Sequence, residues 1–122
     1  MNPVKQFFNE AFSKKMKVEE IECLSFQKKR EQNAPITLID VREDEEWESI
    51  RIPGAIHIPK GLIKNEISNA APDKKQEVVL YCRSGYRSAD AARTLLEMGY
   101  THVYSLKGGI VEWTHLHLSV ES

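Results

Sequence analysis

The residues best able to do chemistry lie in one run, Cys82-Arg83-Ser84-Gly85-Tyr86-Arg87. The run follows an apolar, β-rich stretch, Glu77-Val78-Val79-Leu80-Tyr81, and precedes a helical pattern from Ser88 to Met98. A loop this short between a strand and a helix must turn sharply, and Gly85 supplies the conformational freedom. Successive N–H groups can then converge into an anion-binding nest. The following helix adds free N–H groups and the positive end of its dipole, and Arg83 and Arg87 add formal charge. Each feature favours an anion at the loop centre, where the Cys82 sulfur would sit. Its thiol is expected to titrate below an ordinary cysteine, and the thiolate is the nucleophilic form. A persulfide, also an anion, suits the same cradle. A lone cysteine after an apolar strand is often just a small buried hydrophobe; the glycine, the arginines and the helix together favour chemistry. Cys23, on a helical face, is read as structural.

The elements that would position this loop follow from periodicity. Met16 to Arg30 carries Val18, Ile21, Cys23 and Leu24 at helical spacing. Phe7, Phe8, Ala11 and Phe12 suggest a shorter helix before it, so residues 1–16 read as a helical N-terminal extension and residues 17–122 as the domain. Ile36 to Ile39, Ala55 to Ile58, Glu77 to Tyr81 and Val103 to Leu106 read as short buried strands. Glu43 to Glu48 reads as a solvated helix start, Leu62 to Ala70 as a helix, and Gly99 as the stop after Met98. Ala89, Ala92, Leu95 and Leu96 give the buried stripe of the Ser88–Met98 helix, and Gly108-Gly109 a tight loop before a short helix with Ile110 and Trp113. Strands alternating with helices predict an α/β fold, a parallel sheet covered on both faces. Ligands in such sheets bind beyond the C-terminal strand ends, and Cys82 lies at one.

Composition sets the outer bounds. The chain has 122 residues, 41% of them hydrophobic and 29% charged, which suits one compact domain. A formal net charge of −1 gives no global reason to expect nucleic acid or an anionic membrane as partner. Lys5, Glu10, Lys14 and Lys15 break any apolar signal stretch near the start, so the expectation is a soluble cytoplasmic protein. The two cysteines are far apart, with no CxxC, which disfavours a structural disulfide or zinc site. His115-x-His117 could place two imidazoles on one strand face, but with no third ligand it is not read as a metal centre. No cofactor is expected. Trp47 and Trp113 are read as core or pocket wall.

The segment from Tyr81 to Ser88 resembles the active-site loop of rhodanese domains, the thiosulfate sulfurtransferase family. Three further segments match in the family's order: Asp40-Val41-Arg42-Glu43; Ile52-Pro53-Gly54-Ala55-Ile56-His57-Ile58-Pro59; and Leu106-Lys107-Gly108-Gly109-Ile110 with Trp113. The resemblance spans residues 17–114 and implies a three-layer fold, a five-stranded, mostly parallel sheet with helices on both faces. It implies Cys82 as the catalytic residue, attacking the outer sulfur of a small anionic donor such as thiosulfate. Sulfite leaves, a persulfide forms, and cyanide, a thiol or a sulfur-accepting protein takes the sulfur. It further implies Arg83, Ser84, Gly85, Tyr86 and Arg87 as the substrate-binding loop, and Asp40 with Arg42 as a structural charge pair. Ile50 and Arg51 stand where many members have Gly-His. A cysteine phosphatase or arsenate reductase would need C-x5-R; here the arginine comes one position earlier and Ser88 takes its place.

Overall fold

The computed structural model describes residues 17–122. The expected helix over Phe7 to Phe12 and the boundary of the N-terminal extension lie outside them. Five strands form one sheet in the order β1-β5-β4-β2-β3: β1 Glu19–Ile21, β2 Ile36–Asp40, β3 Ile56–His57, β4 Glu77–Tyr81 and β5 His102–Leu106. Every pairing within it is parallel. The helices are α1 Cys23–Glu31, α2 Asp44–Ser49, α3 Ile63–Ala70 (after a 3₁₀ turn, Lys60–Leu62), α4 Tyr86–Glu97 and α5 Gly109–His115.

Side-chain alternation along the strands builds the three layers. In β4, Val78 and Leu80 face a core shared with Ile63 and Ile67 of α3 and with Ala91, Ala92 and Leu95 of α4. Val79 and Tyr81 face the opposite core, with Phe26 of α1 and Ile110 and Trp113 of α5. A strand buried on both faces needs a continuous apolar run, and Val78 to Tyr81 supplies it with no exposed surface.

One element differs from expectation. The helical reading of Met16 to Arg30 fails at its start, where residues 19–21 form an edge strand paired to Tyr104, Ser105 and Leu106. Only Ile21 of β1 is buried, so the segment has little apolar pattern of its own, and pairing with β5 overrides local propensity. The helix begins at Cys23 and buries Cys23 and Phe26, leaving Leu24 exposed. In α4 the buried residues are Ser88, Ala91, Ala92 and Leu95, a stripe shifted from the one expected, with Ala89 and Leu96 half-buried.

The chain leaves β2 toward β3 on one side and β4 toward β5 on the other. A crevice opens where such connections diverge, outside the C-terminal ends of the two strands. Those ends are Asp40-Val41-Arg42 and Cys82.

Candidate active site

Cys82 follows the last residue of β4 and is 1% exposed. The loop folds back over its sulfur. Gly85 N–H donates to Cys82 Sγ at 3.0 Å, and Ser88 Oγ lies 3.4 Å from it. Gly85 can close this turn because it takes φ +118°, a conformation an L side chain rarely adopts. Burial pushes the thiol up. Hydrogen bonds from the Ser88 hydroxyl and from the N–H groups of Ser88, Gly85 and Ser84 more than offset it, so the net direction is down. The expected cradle is present, built from neutral donors.

Its orientation has a structural cause. The N–H groups of Ile110 and Val111, in the first turn of α5, donate to the carbonyls of Cys82 (3.0 Å) and Arg83 (3.1 Å). Holding the Arg83 carbonyl fixes the peptide plane that carries the Ser84 N–H, one of the donors to the sulfur. The approach is so close that only glycine fits at position 109, where a Cβ would meet the Cys82 and Arg83 carbonyls.

Ser88 Oγ is also 2.7 Å from Ser105 Oγ on β5 and 3.2 Å from the Gly85 carbonyl. A hydroxyl carries one proton. With a thiolate present, Ser88 can donate to sulfur while Ser105 donates to Ser88. With a thiol, the S–H can donate to Ser88, which turns its proton to Gly85. Both serines are buried. Their roles escape the sequence reading, although Ser105, polar inside the apolar run Val103 to Leu106, is a legible signal of a polar interior partner.

The two arginines behave differently from the reading that gives both free charges to the anion. Arg87 is held in a two-pronged pair by Glu46 of α2, Nη1 to Oε1 at 2.7 Å and Nη2 to Oε2 at 2.9 Å. This pair, followed by burial acting in the opposite direction, brings the Glu46 carboxyl down to about 2. Glu46 also accepts from Glu43 N–H in a capping box that starts α2. The acidic run is therefore more than a solvated helix start. Arg83 is exposed and faces a separate depression bordered by Arg42, Glu46 and Ile110. Ser84 and Tyr86 are exposed on the outer side of the loop, Tyr86 with 84% of its surface free.

Asp40 and Arg42 form a buried ion pair, Arg42 Nη2 to Asp40 Oδ2 at 2.7 Å, with a second bond from Nη2 to the Ile50 carbonyl. The Tyr81 hydroxyl accepts from Ile52 N–H nearby. The pair thus ties the end of β2 to the segment holding Ile50 and Arg51. Arg51 lies over the Trp47 ring, 4.8 Å from its centroid, and bridges to Glu121 near the C-terminus. Trp47 stacks on His57, and Trp113 is buried against Phe26. Cys23 is buried and unbridged, its thiol pushed up to about 11 by burial first and Glu112 second. His115 ends α5 and His117 sits in the left-handed region after it, so the two do not share a strand face. Among the described residues, no cluster of three or more metal-binding side chains occurs, and no helix is long and apolar enough to cross a membrane.

Comparison with known proteins gives this geometry a lineage. The family model for the rhodanese-like domain matches residues 24–116. A sulfurtransferase of Allochromatium vinosum is 35% identical over 103 residues, covering 84% of this chain and 94% of that protein. The putative sulfur carrier protein YrkF of Bacillus subtilis is 34% identical over 97 residues, or 80% of this chain and 51% of that protein, so the chain spans about half the length of that relative. The crystal structure of a thiosulfate sulfurtransferase from Pseudomonas aeruginosa shares the fold, with a TM-score of 0.81 at 24% identity over 93% of this chain and 22% of that one. A family match over most of the chain, with a relative of nearly equal span, makes this protein a member of the rhodanese-like family of sulfurtransferases.

Proposed function

We propose that this chain transfers sulfane sulfur from thiosulfate, or a related small anionic donor, to a thiol or cyanide through a persulfide on Cys82. The observation that carries the reading is the ring of N–H and O–H donors around a buried cysteine sulfur at the end of β4. In the first step the Cys82 thiolate bonds to the outer sulfur of thiosulfate. The donor's S–S bond breaks, and sulfite leaves with the electron pair. The charge that was on Sγ passes to the new outer sulfur within the loop. In the second step an acceptor thiolate or cyanide bonds to that outer sulfur and Cys82 departs as thiolate. Both steps follow thiol–disulfide exchange, in which a stabilised leaving anion speeds cleavage.

The loop residues take distinct parts in this reading. Ser84 and Gly85 contribute N–H donors to sulfur, and Arg83, exposed beside the loop, suits the sulfonate end of the donor. Tyr86 stands at the mouth, and Arg87, held by Glu46, fixes the first turn of α4. Asp40 and Arg42 brace the neighbouring strand end. Two free thiols suit a reducing, cytoplasmic setting. A phosphatase or arsenate reductase is disfavoured by a loop one residue short of C-x5-R. A second reading, a persulfide carrier serving one partner protein, gains support from the name of the Bacillus relative.

Intact-mass measurement after incubation of reduced protein with thiosulfate tests the proposal. The expected result is a gain of one sulfur atom, removed by cyanide and absent in Cys82→Ala. A gain that survives in Cys82→Ala would remove Cys82 from the mechanism.

A further inference from the structure

Beside the loop runs a groove of about 690 Å³, within the usual size of a binding site. One wall is the outer side of the loop itself, Ser84, Gly85 and Tyr86. The end of β1, the start of α1, the Lys107-Gly108 turn and α5 supply the rest of its lining. The same Gly85 whose N–H reaches Cys82 Sγ therefore lines this groove.

The groove combines two surface properties. Tyr86 and Leu24, 84% and 59% exposed, both line it, and an exposed tyrosine is among the side chains that most often anchor protein recognition. Its charge is unbalanced. Glu20, Glu22 and Glu112 all line it, against Lys107 alone. None of the three carboxylates takes part in an ion pair among the described residues. A small anionic donor is repelled from such a surface, whereas a positively charged chain is drawn to it.

We infer that this groove docks the sulfur acceptor, and that the acceptor is a polypeptide presenting a cysteine flanked by lysine or arginine. The inference rests on the proposed persulfide chemistry of Cys82 and adds the identity of the second substrate. Basic flanks neutralise Glu20, Glu22 and Glu112, apolar neighbours cover Tyr86 and Leu24, and the cysteine extends from the groove past Ser84 to the Cys82 sulfur. Its thiolate bonds to the outer sulfur of the persulfide, the Sγ–S bond breaks, and Cys82 keeps the electron pair as thiolate. The acceptor leaves as a persulfide.

Two measurements separate this inference from the chemistry on which it rests. The first is binding, by fluorescence polarisation, of labelled peptides carrying serine for cysteine between lysines, glutamines or glutamates. The lysine peptide should bind best, and Glu20→Gln/Glu22→Gln/Glu112→Gln should weaken it about tenfold, the sum expected of three rim charges. The second is sulfur transfer from thiosulfate-loaded protein to the cysteine forms of the same peptides. Transfer to the lysine peptide should fall about tenfold in the triple variant, while loading by thiosulfate and transfer to cyanide stay unchanged. Equal binding of the three peptides, or a lysine preference that survives in the triple variant, would overturn the groove assignment. Self-association of the chain that competes with the peptide would give the groove to a second copy and overturn it as well. Failure of thiosulfate to load Cys82 while the binding results hold would refute the chemistry and leave the docking surface standing.

Discussion

Gly109→Ala should loosen the Cys82 loop more than alanine at any other glycine of the chain. Gly109 has φ +58°, and holding alanine in the left-handed region costs about 1 kcal/mol. The new Cβ would lie 2.5 Å from the Cys82 carbonyl oxygen and 2.6 Å from the Arg83 carbonyl carbon, and both neighbours are backbone. Relief requires α5 to retreat from the loop. That retreat stretches the Ile110 and Val111 N–H bonds to the Cys82 and Arg83 carbonyls, each worth about 1 kcal/mol. The total is about 3 kcal/mol, or a fall in melting temperature of roughly 10–14 °C for a domain of this size. A released Arg83 carbonyl no longer fixes the Ser84 amide against sulfur, and the loop behind it loosens, so thiosulfate loading should slow at least tenfold at a temperature where the variant is folded. Two controls isolate the cause. At Gly61 a Cβ meets nothing within 4 Å, so Gly61→Ala should stay within about 0.5 kcal/mol of wild type. At Gly85 the nearest atom is 3.9 Å away, so Gly85→Ala carries backbone strain of about 1–2 kcal/mol without the clash. Denaturant melts and a loading time course check all three. Wild-type stability and loading in Gly109→Ala would refute the idea that α5 sets the loop.

Further outcomes follow from charge. Glu46→Gln keeps the capping bond but frees Arg87, whose charge is felt at Cys82, so the alkylation midpoint of Cys82 should move down; an unchanged midpoint would mean that the arginine's field stops short of sulfur. The same variant should lose part of the acid limb of stability. Glu46 sits near 2 in the folded chain against about 4.5 ordinarily, so its contribution is present above 4.5 and lost as pH falls from 4.5 to 2, and pH-dependent melts read it directly. Iodoacetamide near neutral pH should label Cys82 ahead of Cys23. The Cys23 thiol sits near 11 against an ordinary 9, so its contribution to stability is full below 9 and disappears as pH rises to 11; peptide mapping and an alkaline melt series of Cys23→Ala check the pair.

Most of the sheet is legible from the chain because its central strands are buried on both faces and must be apolar throughout. Edge strands have no such obligation, and β1, with one buried residue, carries a pattern that suits a helix equally well. The loop is legible for a different reason. Glycine and cysteine at a strand–helix junction mark a geometry and a reactivity that survive as local sequence. Partners brought in from elsewhere do not. Ser105 lies 17 positions from Ser88 and Glu46 lies 41 from Arg87, and nothing in the intervening chain signals either meeting. Glu46 was hidden by its own neighbours, since Glu43, Asp44 and Glu45 give a helix start reason enough to be acidic.

The division between neutral and charged groups around Cys82 has its own logic. In the proposed mechanism, sulfur holds negative charge twice, on Sγ as the thiolate and one bond further out as the persulfide. An arginine fixed beside Sγ would form a close ion pair with the first species and fit the second poorly, and it would draw the donor's sulfonate onto the position that the outer sulfur has to occupy. N–H and O–H dipoles spread over a turn stabilise either location with little rearrangement. Glu46 keeps Arg87 as a brace, and Arg83 faces away from the groove that carries Glu20, Glu22 and Glu112. On that proposal, Arg83 serves the anionic donor and the Glu20, Glu22 and Glu112 groove serves the cationic acceptor, so the two substrates use separate charged groups around one loop.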